Sequence, residues 1–175
     1  MSATALDIEV PEAGALVAPF RARYEPSAAE GMPAHITLLY PFLDDSRIDA
    51  SVLSTLRQCF AGFAPFSYRL ASIRRFGAEV LYLAPEPDEP FRRLTQAIWQ
   101  RFPETPPFGG RHPDIVPHLT IANLADAAVF ESVADEFAGA AKGRLPIAAS
   151  AFEVALMENV AGQWRRRVGF RLGPT

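Results

Sequence analysis

The stretches PAHITLLYPF (residues 33–42) and VPHLTIAN (residues 116–123) place the same short motif, His-x-Thr, at the start of two apolar, β-prone runs. A proline stands one or two positions before each histidine, and the chain has only one other histidine, His112. The motif residues are His35, Thr37, His118 and Thr120. Because residues two apart in a strand point to the same face, each motif is predicted to present an imidazole beside a hydroxyl.

Both predicted strands alternate between the motif residues and bulky apolar side chains. The alternating residues are Ile36, Leu38, Leu119 and Ile121. We expect this apolar face to pack on helices, which leaves the His and Thr face toward a groove. Pro41, near the end of the first run, would remove a donor from the hydrogen-bond ladder, so that strand is predicted to lie at a sheet edge or to end there.

The order of the predicted elements repeats along the chain. After a first strand at 5–10, the pattern is helix, motif strand, helix, strand, strand, and the same pattern then follows again. In the first copy a helix begins at Pro11, and the later elements are predicted at 34–42, 48–60, 66–76 and 80–83. In the second copy the elements are predicted at 91–99, 118–122, 129–141, 145–157 and 164–172.

This duplication predicts an α+β protein with a single domain over residues 1–175. Two pseudo-symmetric lobes are expected at about 11–86 and 87–175, with antiparallel sheets flanked by helices around a central cleft. The symmetry would bring the two motif strands together at the middle of the molecule, so that both motifs face one groove.

Composition limits the classes of protein to be considered. The chain has 175 residues and an apolar fraction of 49%, which suits a globular domain. Its formal net charge of −3 gives no general attraction for a polyanion. Cys59 is the single cysteine, which excludes an intrachain disulfide. The N-terminus lacks the pattern of a secretory signal and no apolar run reaches membrane length, so we expect a cytoplasmic monomer without membrane contacts.

Two histidines facing one groove suit displacement at phosphorus. Histidine has an ordinary pKa of about 6.5, so a neutral His can accept the proton of the attacking hydroxyl while a charged His donates one to the leaving oxygen. The Thr hydroxyls would donate to the non-bridging phosphate oxygens. This scheme requires no metal and no cofactor, and the sequence has no HExxH motif. Which histidine is the base stays open at this point.

The run WRRRVGF (residues 164–170) offers a candidate ligand for phosphate. If the apolar residues of this strand pack on helices, Arg165 and Arg167 face the groove, and Arg167 is predicted to bind the substrate. A solvated strand face is the alternative. The Pro- and Gly-rich loop at 103–117 is typical of a lid, and His112 within it is predicted to be solvated. Tyr82 is predicted to pack in the core, with stacking on a base as the alternative.

The two motifs resemble the signature of the two-histidine phosphoesterase superfamily, which includes RNA 2′,3′-cyclic phosphodiesterases, also called 2′-5′ RNA ligases. The resemblance covers most of the chain in element order and rests at the residue level on PAHITLLYPF and PHLTIA. It implies hydrolysis of a 2′,3′-cyclic phosphate at an RNA end, a nucleotide or a related small molecule. By this resemblance His35 and His118 form the acid/base pair, and Thr37 and Thr120 hold the phosphate.

One departure from the family pattern concerns the substrate. Many RNA-processing members carry a basic residue just after the second motif, whereas Asn123 stands there in this chain. A nucleotide or another small cyclic phosphate is therefore at least as good a candidate as long RNA. Two other functions stay open: a nucleotide- or RNA-binding module that uses the same cleft without turnover, and a zinc hydrolase built from His35, His118 and a carboxylate.

Overall fold

The computed structural model describes residues 2–174, which form eight strands and five helices. The strands are β1 Thr4–Glu9, β2 His35–Leu39, β3 Phe66–Phe76, β4 Val80–Glu86, β5 Leu119–Asn123, β6 Ile147–Ala151, β7 Glu153–Val160 and β8 Gln163–Arg171. The helices are α1 Gly14–Tyr24, α2 Pro26–Ala29, α3 Ala50–Ala61, α4 Glu89–Arg101 and α5 Ala127–Ala141. Short 3-10 turns lie at Pro11–Ala13, Asp45–Arg47 and Pro107–Gly110.

Two four-stranded sheets organise the fold. One has the order β2-β1-β7-β8 and the other β5-β4-β3-β6, and every neighbouring pair is antiparallel. The two motif strands, β2 and β5, are the edge strands of their sheets and lie beside each other. The arrangement therefore brings the two His-x-Thr motifs together at the junction of the sheets.

Each motif strand buries one face and leaves the other partly open. Ile36, Leu119 and Ile121 are fully buried in the main core, whereas His35 and Thr37 are only half-buried. The helices cover the buried faces: α1 packs on β5, α4 on β2 and α3 on β8. Apolar side chains form one side of each helix and alternate positions of each strand, so these apolar surfaces can pack against each other.

The side-chain caps of two helices explain why they begin where they do. The carboxylate of Asp49 accepts a hydrogen bond from the Val52 amide at the start of α3. Asp126 accepts bonds from the amides of Ala128 and Val129 at the start of α5. Such N-caps satisfy amides that have no partner within the helix, and they fix the start of the helix that comes next after each motif strand.

The structure confirms the predicted α+β class with antiparallel sheets, and most predicted elements are present. Pro41 follows an edge strand that ends at Leu39, as expected. Residues 145–157 were predicted as one strand, and this prediction is wrong. The chain changes sheets at Phe152, because β6 pairs with β3 while β7 pairs with β1 and β8. The segment 25–33, between α1 and β2, contains α2, whose first turn is capped by Glu25.

The sheets do not follow the sequence halves. The hairpin β3–β4 joins motif strand β5, and the hairpin β7–β8 joins motif strand β2 through β1. Each sheet thus combines a motif strand from one half with a hairpin from the other. The division into lobes at 11–86 and 87–175 stays a prediction. Within residues 2–174, no helix is both long and apolar enough to cross a membrane.

Thr95 provides a test of how α4 holds the motif strand β2. Thr95 is 1% exposed, and its hydroxyl donates to the Leu38 carbonyl at 2.8 Å, with the Phe91 carbonyl of its own helix at 3.1 Å. Thr95→Val leaves that buried carbonyl without its partner, and we expect the free energy of unfolding to fall by about 1–3 kcal/mol in urea denaturation. Thr55→Val is the matched control, because the Thr55 hydroxyl bonds only to Ser51 of its own helix. Equal effects of both substitutions would contradict this role for Thr95.

Candidate active site

Both motif histidines are anchored in the same way. The Nδ1 atom of His35 lies 2.8 Å from the Pro33 carbonyl oxygen, and Nδ1 of His118 lies 2.6 Å from the Val116 carbonyl oxygen. Since a carbonyl only accepts, Nδ1 carries the proton in both rings. Each neutral imidazole therefore keeps Nε2 as an unprotonated acceptor. The shared bond to the residue two positions upstream gives both rings the tautomer that a general base requires.

A buried arginine joins the two motif segments. One nitrogen of the Arg21 guanidinium donates to the Thr120 carbonyl on β5 at 2.6 Å. The other donates to the carbonyls of Met32 and Pro33, each at 3.1 Å. The Pro33 carbonyl thus accepts from both Arg21 and His35. Arg21 is 2% exposed, and its planar fork suits acceptors on two sides. It ties β5 directly to the segment that orients the first histidine.

Aromatic rings surround His118. Phe76 and Tyr82 meet its ring edge-on, at centroid distances of 5.1 and 5.5 Å, and Phe108 stacks on it at 6.0 Å. Phe108 belongs to the predicted lid loop and has a left-handed backbone with φ of 51°. Its amide donates to the Tyr40 carbonyl at 2.6 Å, which fixes the loop to the end of β2. Tyr82 is buried, in agreement with the predicted packing.

A cavity of about 370 Å³ opens beside His35 and Thr37. Its walls combine aromatic and small polar side chains, and Phe108 connects it to the ring of His118. The other principal wall residues are Glu25, Glu30, Met32, Tyr40, Asn123, Asn159 and Trp164. Tyr40 and Trp164 contact each other edge-on at 6.1 Å. Among the described residues, no lysine or arginine lines this cavity.

Burial controls the charge of both histidines. Burial lowers the pKa of His35 to about 4. The hydrogen bond to the Pro33 carbonyl opposes this decrease, whereas the positive charge of Arg21 adds to it. Burial also lowers the pKa of His118, and a charge on His35 lowers it further. The rings are therefore within electrostatic reach of each other. At pH 7 both are neutral, because each pKa lies below its ordinary value of 6.5.

The structure thus brings His35, Thr37, His118 and the β5 strand bearing Thr120 to one junction. It does not bring Arg167 there. The guanidinium of Arg167 pairs with Asp45 and donates to the Ile48 carbonyl at 3.1 Å, near the start of α3. The expected groove-facing orientation assumed unbroken alternation along β8, but an extra residue interrupts the register there. A role of Arg167 in binding phosphate stays a prediction.

The neighbouring arginines of β8 are also paired with carboxylates. Arg165 donates to Glu158 at 2.7 Å, and Arg166 lies 2.6 Å from Glu153. His112 is exposed, as predicted, and its ring meets Phe108 at 5.9 Å. Across residues 2–174, no three His, Cys, Asp or Glu side chains converge closely enough to hold a metal ion.

Sequence reasoning missed two buried charged residues of the site, Arg21 and Asp7. Both left a visible signal. Arg21 stands at the spacing of the apolar stripe formed by Val17, Phe20 and Tyr24, and Asp7 interrupts the β-prone run TALDIE. A charged residue at a core position is expected to be paired or to have a perturbed pKa.

Arg21→Lys tests whether the guanidinium fork holds the site together. An ammonium group has no planar fork, so it cannot reach the Thr120 carbonyl and the Met32 and Pro33 carbonyls in the same way. We expect a loss of about 3 kcal/mol in the free energy of unfolding, since buried carbonyls lose their donors. Arg23→Lys is the control, because Arg23 is exposed and makes its contacts with Glu136 and the Tyr24 ring at the surface. Equal stability of the two variants would contradict the stabilising role of the Arg21 guanidinium.

Comparison with known proteins places this geometry in a family. A sequence profile described as "2'-5' RNA ligase superfamily" matches residues 9–163. A protein of Bacillus pumilus (strain SAFR-032), named as a candidate phosphoesterase, is 32% identical over 106 residues, which are 59% of this chain and 58% of that protein. The chain therefore matches little more than half the length of this curated relative.

Solved structures share the fold. The crystal structure of TT0787 of Thermus thermophilus has a TM-score of 0.66 at 17% identity. E. coli LigT complexed with 3'-AMP has a TM-score of 0.62 at 16% identity. Each comparison covers 98% of both chains. The resemblance noted from the two motifs is confirmed: the chain belongs to the 2'-5' RNA ligase superfamily, whose members are two-histidine phosphoesterases.

Proposed function

We propose that this protein hydrolyses a 2′,3′-cyclic phosphodiester, with His35 and His118 as general base and general acid and without a metal ion. The observation that carries the proposal is the matched pair of imidazoles at the junction of β2 and β5. Both have Nδ1 tied to a backbone carbonyl and Nε2 free. Two such groups supply both proton transfers that displacement at phosphorus requires.

The reaction needs one proton removed and one supplied. The neutral imidazole takes a proton from water as its oxygen attacks phosphorus, and the bond from phosphorus to one ribose oxygen breaks. The imidazolium gives its proton to that oxygen, so the cyclic diester and water become a monoester. Hydroxyls of Thr37 and Thr120 donate to the non-bridging oxygens, where negative charge concentrates in the transition state.

The lowered histidine pKa values imply that the substrate itself completes the catalytic state. Before binding, burial keeps both rings neutral at pH 7. An anionic phosphate between them stabilises a positive charge, which raises the pKa of the nearer imidazole. His35, whose pKa is lowered to about 4, is the ring that stays neutral and serves as base. His118 then receives the proton and serves as acid.

Several features favour a small substrate over long RNA. The cavity beside His35 is lined by aromatic and polar residues together with Glu25 and Glu30. A long polyanion gains affinity mainly from Lys and Arg contacts with its phosphates. In this chain Arg165, Arg166 and Arg167 of β8 are paired with carboxylates instead. E. coli LigT has been crystallised with 3'-AMP, which supports a mononucleotide as the molecule that fits such a site.

Turnover of 2′,3′-cyclic AMP in the presence of EDTA tests this function. We expect His35→Ala and His118→Ala each to lower kcat by about 10²- to 10⁴-fold, the usual contribution of one acid or base. His112→Ala is the control, because His112 is exposed and outside the histidine pair. A short RNA with a 2′,3′-cyclic end should be a poorer substrate. Tight binding without turnover by the wild type would support a binding module, and loss of turnover with EDTA would support a metal enzyme.

The two pH profiles of turnover should differ in a specific direction. Activity requires one neutral and one charged histidine, so each profile is bell-shaped. The alkaline limb of kcat/KM reports the free enzyme, in which burial lowers the pKa of His118. The limb of kcat reports the complex, in which the phosphate charge raises that pKa. We therefore expect the alkaline limb of kcat at higher pH than that of kcat/KM. Coincident limbs would contradict the charge coupling.

A further inference from the structure

A buried carboxyl group that the proposed mechanism does not use lies next to the first motif. Asp7 is 0% exposed in the middle of β1, where it is the register partner of Thr37 on β2 and of Ala155 on β7. Leu6 and Ile8, its neighbours in sequence, point into the main core. Asp7 therefore points to the opposite face, the one that carries His35 and Thr37.

The two oxygens of this carboxyl are unsatisfied. Among residues 2–174, neither has a hydrogen-bond partner. An ionised carboxylate in such a place loses its hydration without replacement, whereas the neutral acid loses far less. The Thr37 hydroxyl is near enough to Asp7 to oppose the rise in the pKa of Asp7, but the two side chains do not form a hydrogen bond.

We propose that Asp7 is a protonated acid that donates to the Thr37 hydroxyl oxygen and so directs the hydroxyl's own hydrogen at the substrate phosphate. Asp7 is a positioning residue in this role, because it acts through Thr37. The inference rests on the proposed function, in which Thr37 donates to a non-bridging oxygen.

The charge state of Asp7 decides what Thr37 can do. A carboxylic acid has one hydrogen to donate, so Thr37 accepts it and keeps its own hydrogen for the phosphate. An ionised Asp7 can only accept, so the Thr37 hydroxyl donates its hydrogen bond to Asp7 and not to the phosphate. The ionised group also places a negative charge near an anionic substrate. Loss of the proton thus removes a donor and introduces repulsion at the same site.

The groups around Asp7 agree with the protonated state. Burial raises its pKa to about 8, and Glu9 on the same strand adds to the rise. Thr37 from β2 and Arg21 from α1 oppose it. From β7 the facing residue is the uncharged Ala155. His35 lies two residues before Thr37 on the same face of β2 and is neutral at pH 7.

Asp7→Asn tests the role, because the amide can donate to Thr37 but cannot ionise. The measurement is kcat/KM for 2′,3′-cyclic AMP at pH 7 and pH 9. With a pKa of about 8, wild-type Asp7 changes from mostly protonated to mostly ionised over this range. The ratio of variant to wild-type kcat/KM should therefore rise about tenfold, whatever the histidines contribute to both enzymes.

Two further variants separate positioning from a general effect of charge. In a Thr37→Val background, Asp7→Asn should no longer change the ratio with pH, because Asp7 acts through that hydroxyl. Glu153→Gln removes a carboxylate of β7 that pairs with Arg166 and is not among the groups that shift the pKa of Asp7 or His35. Its ratio to wild type should stay constant between pH 7 and pH 9.

Thermal unfolding reports the protonation of Asp7 without any need for activity. Because the pKa of Asp7 is raised from 3.8 to about 8, the folded protein holds a proton that the unfolded chain releases. The contribution of Asp7 to the stability of the wild type therefore falls as the pH rises from 3.8 to about 8. Asn does not titrate, so the Tm of Asp7→Asn minus that of the wild type should increase from pH 5 to pH 8.

Specific results would overturn the inference. If the wild type turns over substrate but the variant ratio stays constant between pH 7 and pH 9, Asp7 does not position Thr37. A Tm difference that is independent of pH would show that Asp7 is not protonated. If the wild type has no turnover, the proposed function fails. The role of Asp7 is then decided by the ratio of the Kd values of Asp7→Asn and wild type for inorganic phosphate, measured at pH 7 and pH 9.

Discussion

The fork of hydrogen bonds from Arg21 is the constraint on which the site depends. The two motifs come from distant parts of the chain and belong to different sheets, and both strands that carry them are sheet edges. An edge strand presents unpaired backbone groups on its outer side. Arg21 bonds to such groups on both sides of the junction, at Thr120 and at Met32 and Pro33. Because the Pro33 carbonyl also orients His35, this fork couples the packing of the sheets to the geometry of the two motif histidines.

The burial of ionisable groups at the junction affects their charge states. The same burial that keeps His35 and His118 neutral keeps Asp7 protonated, since each shift disfavours the charged form. Arg21 stays charged because a guanidinium is not deprotonated in proteins, and its hydrogen bonds go to neutral carbonyls. Glu25 and Glu30 already line the cavity, so a neutral Asp7 avoids a further negative charge beside His35 and Thr37. In the proposed function, an anionic substrate would be bound there by hydroxyl donors and by the proton that its own charge attracts to an imidazole.

Particular residues show where sequence reasoning succeeds and where it stops. The alternation in HITLL and HLTIA predicted that His and Thr would lie opposite buried aliphatic residues, and they do. The same alternation misplaced Arg167, because one extra residue in β8 reverses which side chains face the groove. It also misread 145–157 as one strand, although the burial pattern changes at Phe152: positions 149 and 151 are buried before it, whereas residues 154–158 are all buried after it. A one-residue irregularity turns every later side chain of a strand to the other face, and composition alone does not reveal it.

The amino-acid sequence by itself determined the element types, the antiparallel α+β class, the two motifs and their family, because period-2 and period-3.6 patterns are local properties. Only the tertiary structure decided which hairpin joins which motif strand, which arginines are paired, and that Arg21 and Asp7 belong to the site. Those outcomes depend on contacts between residues far apart in the chain, such as Arg21 with Thr120, and on burial, which sets the charge of a group. Neither long-range contact nor desolvation can be read from neighbouring residues.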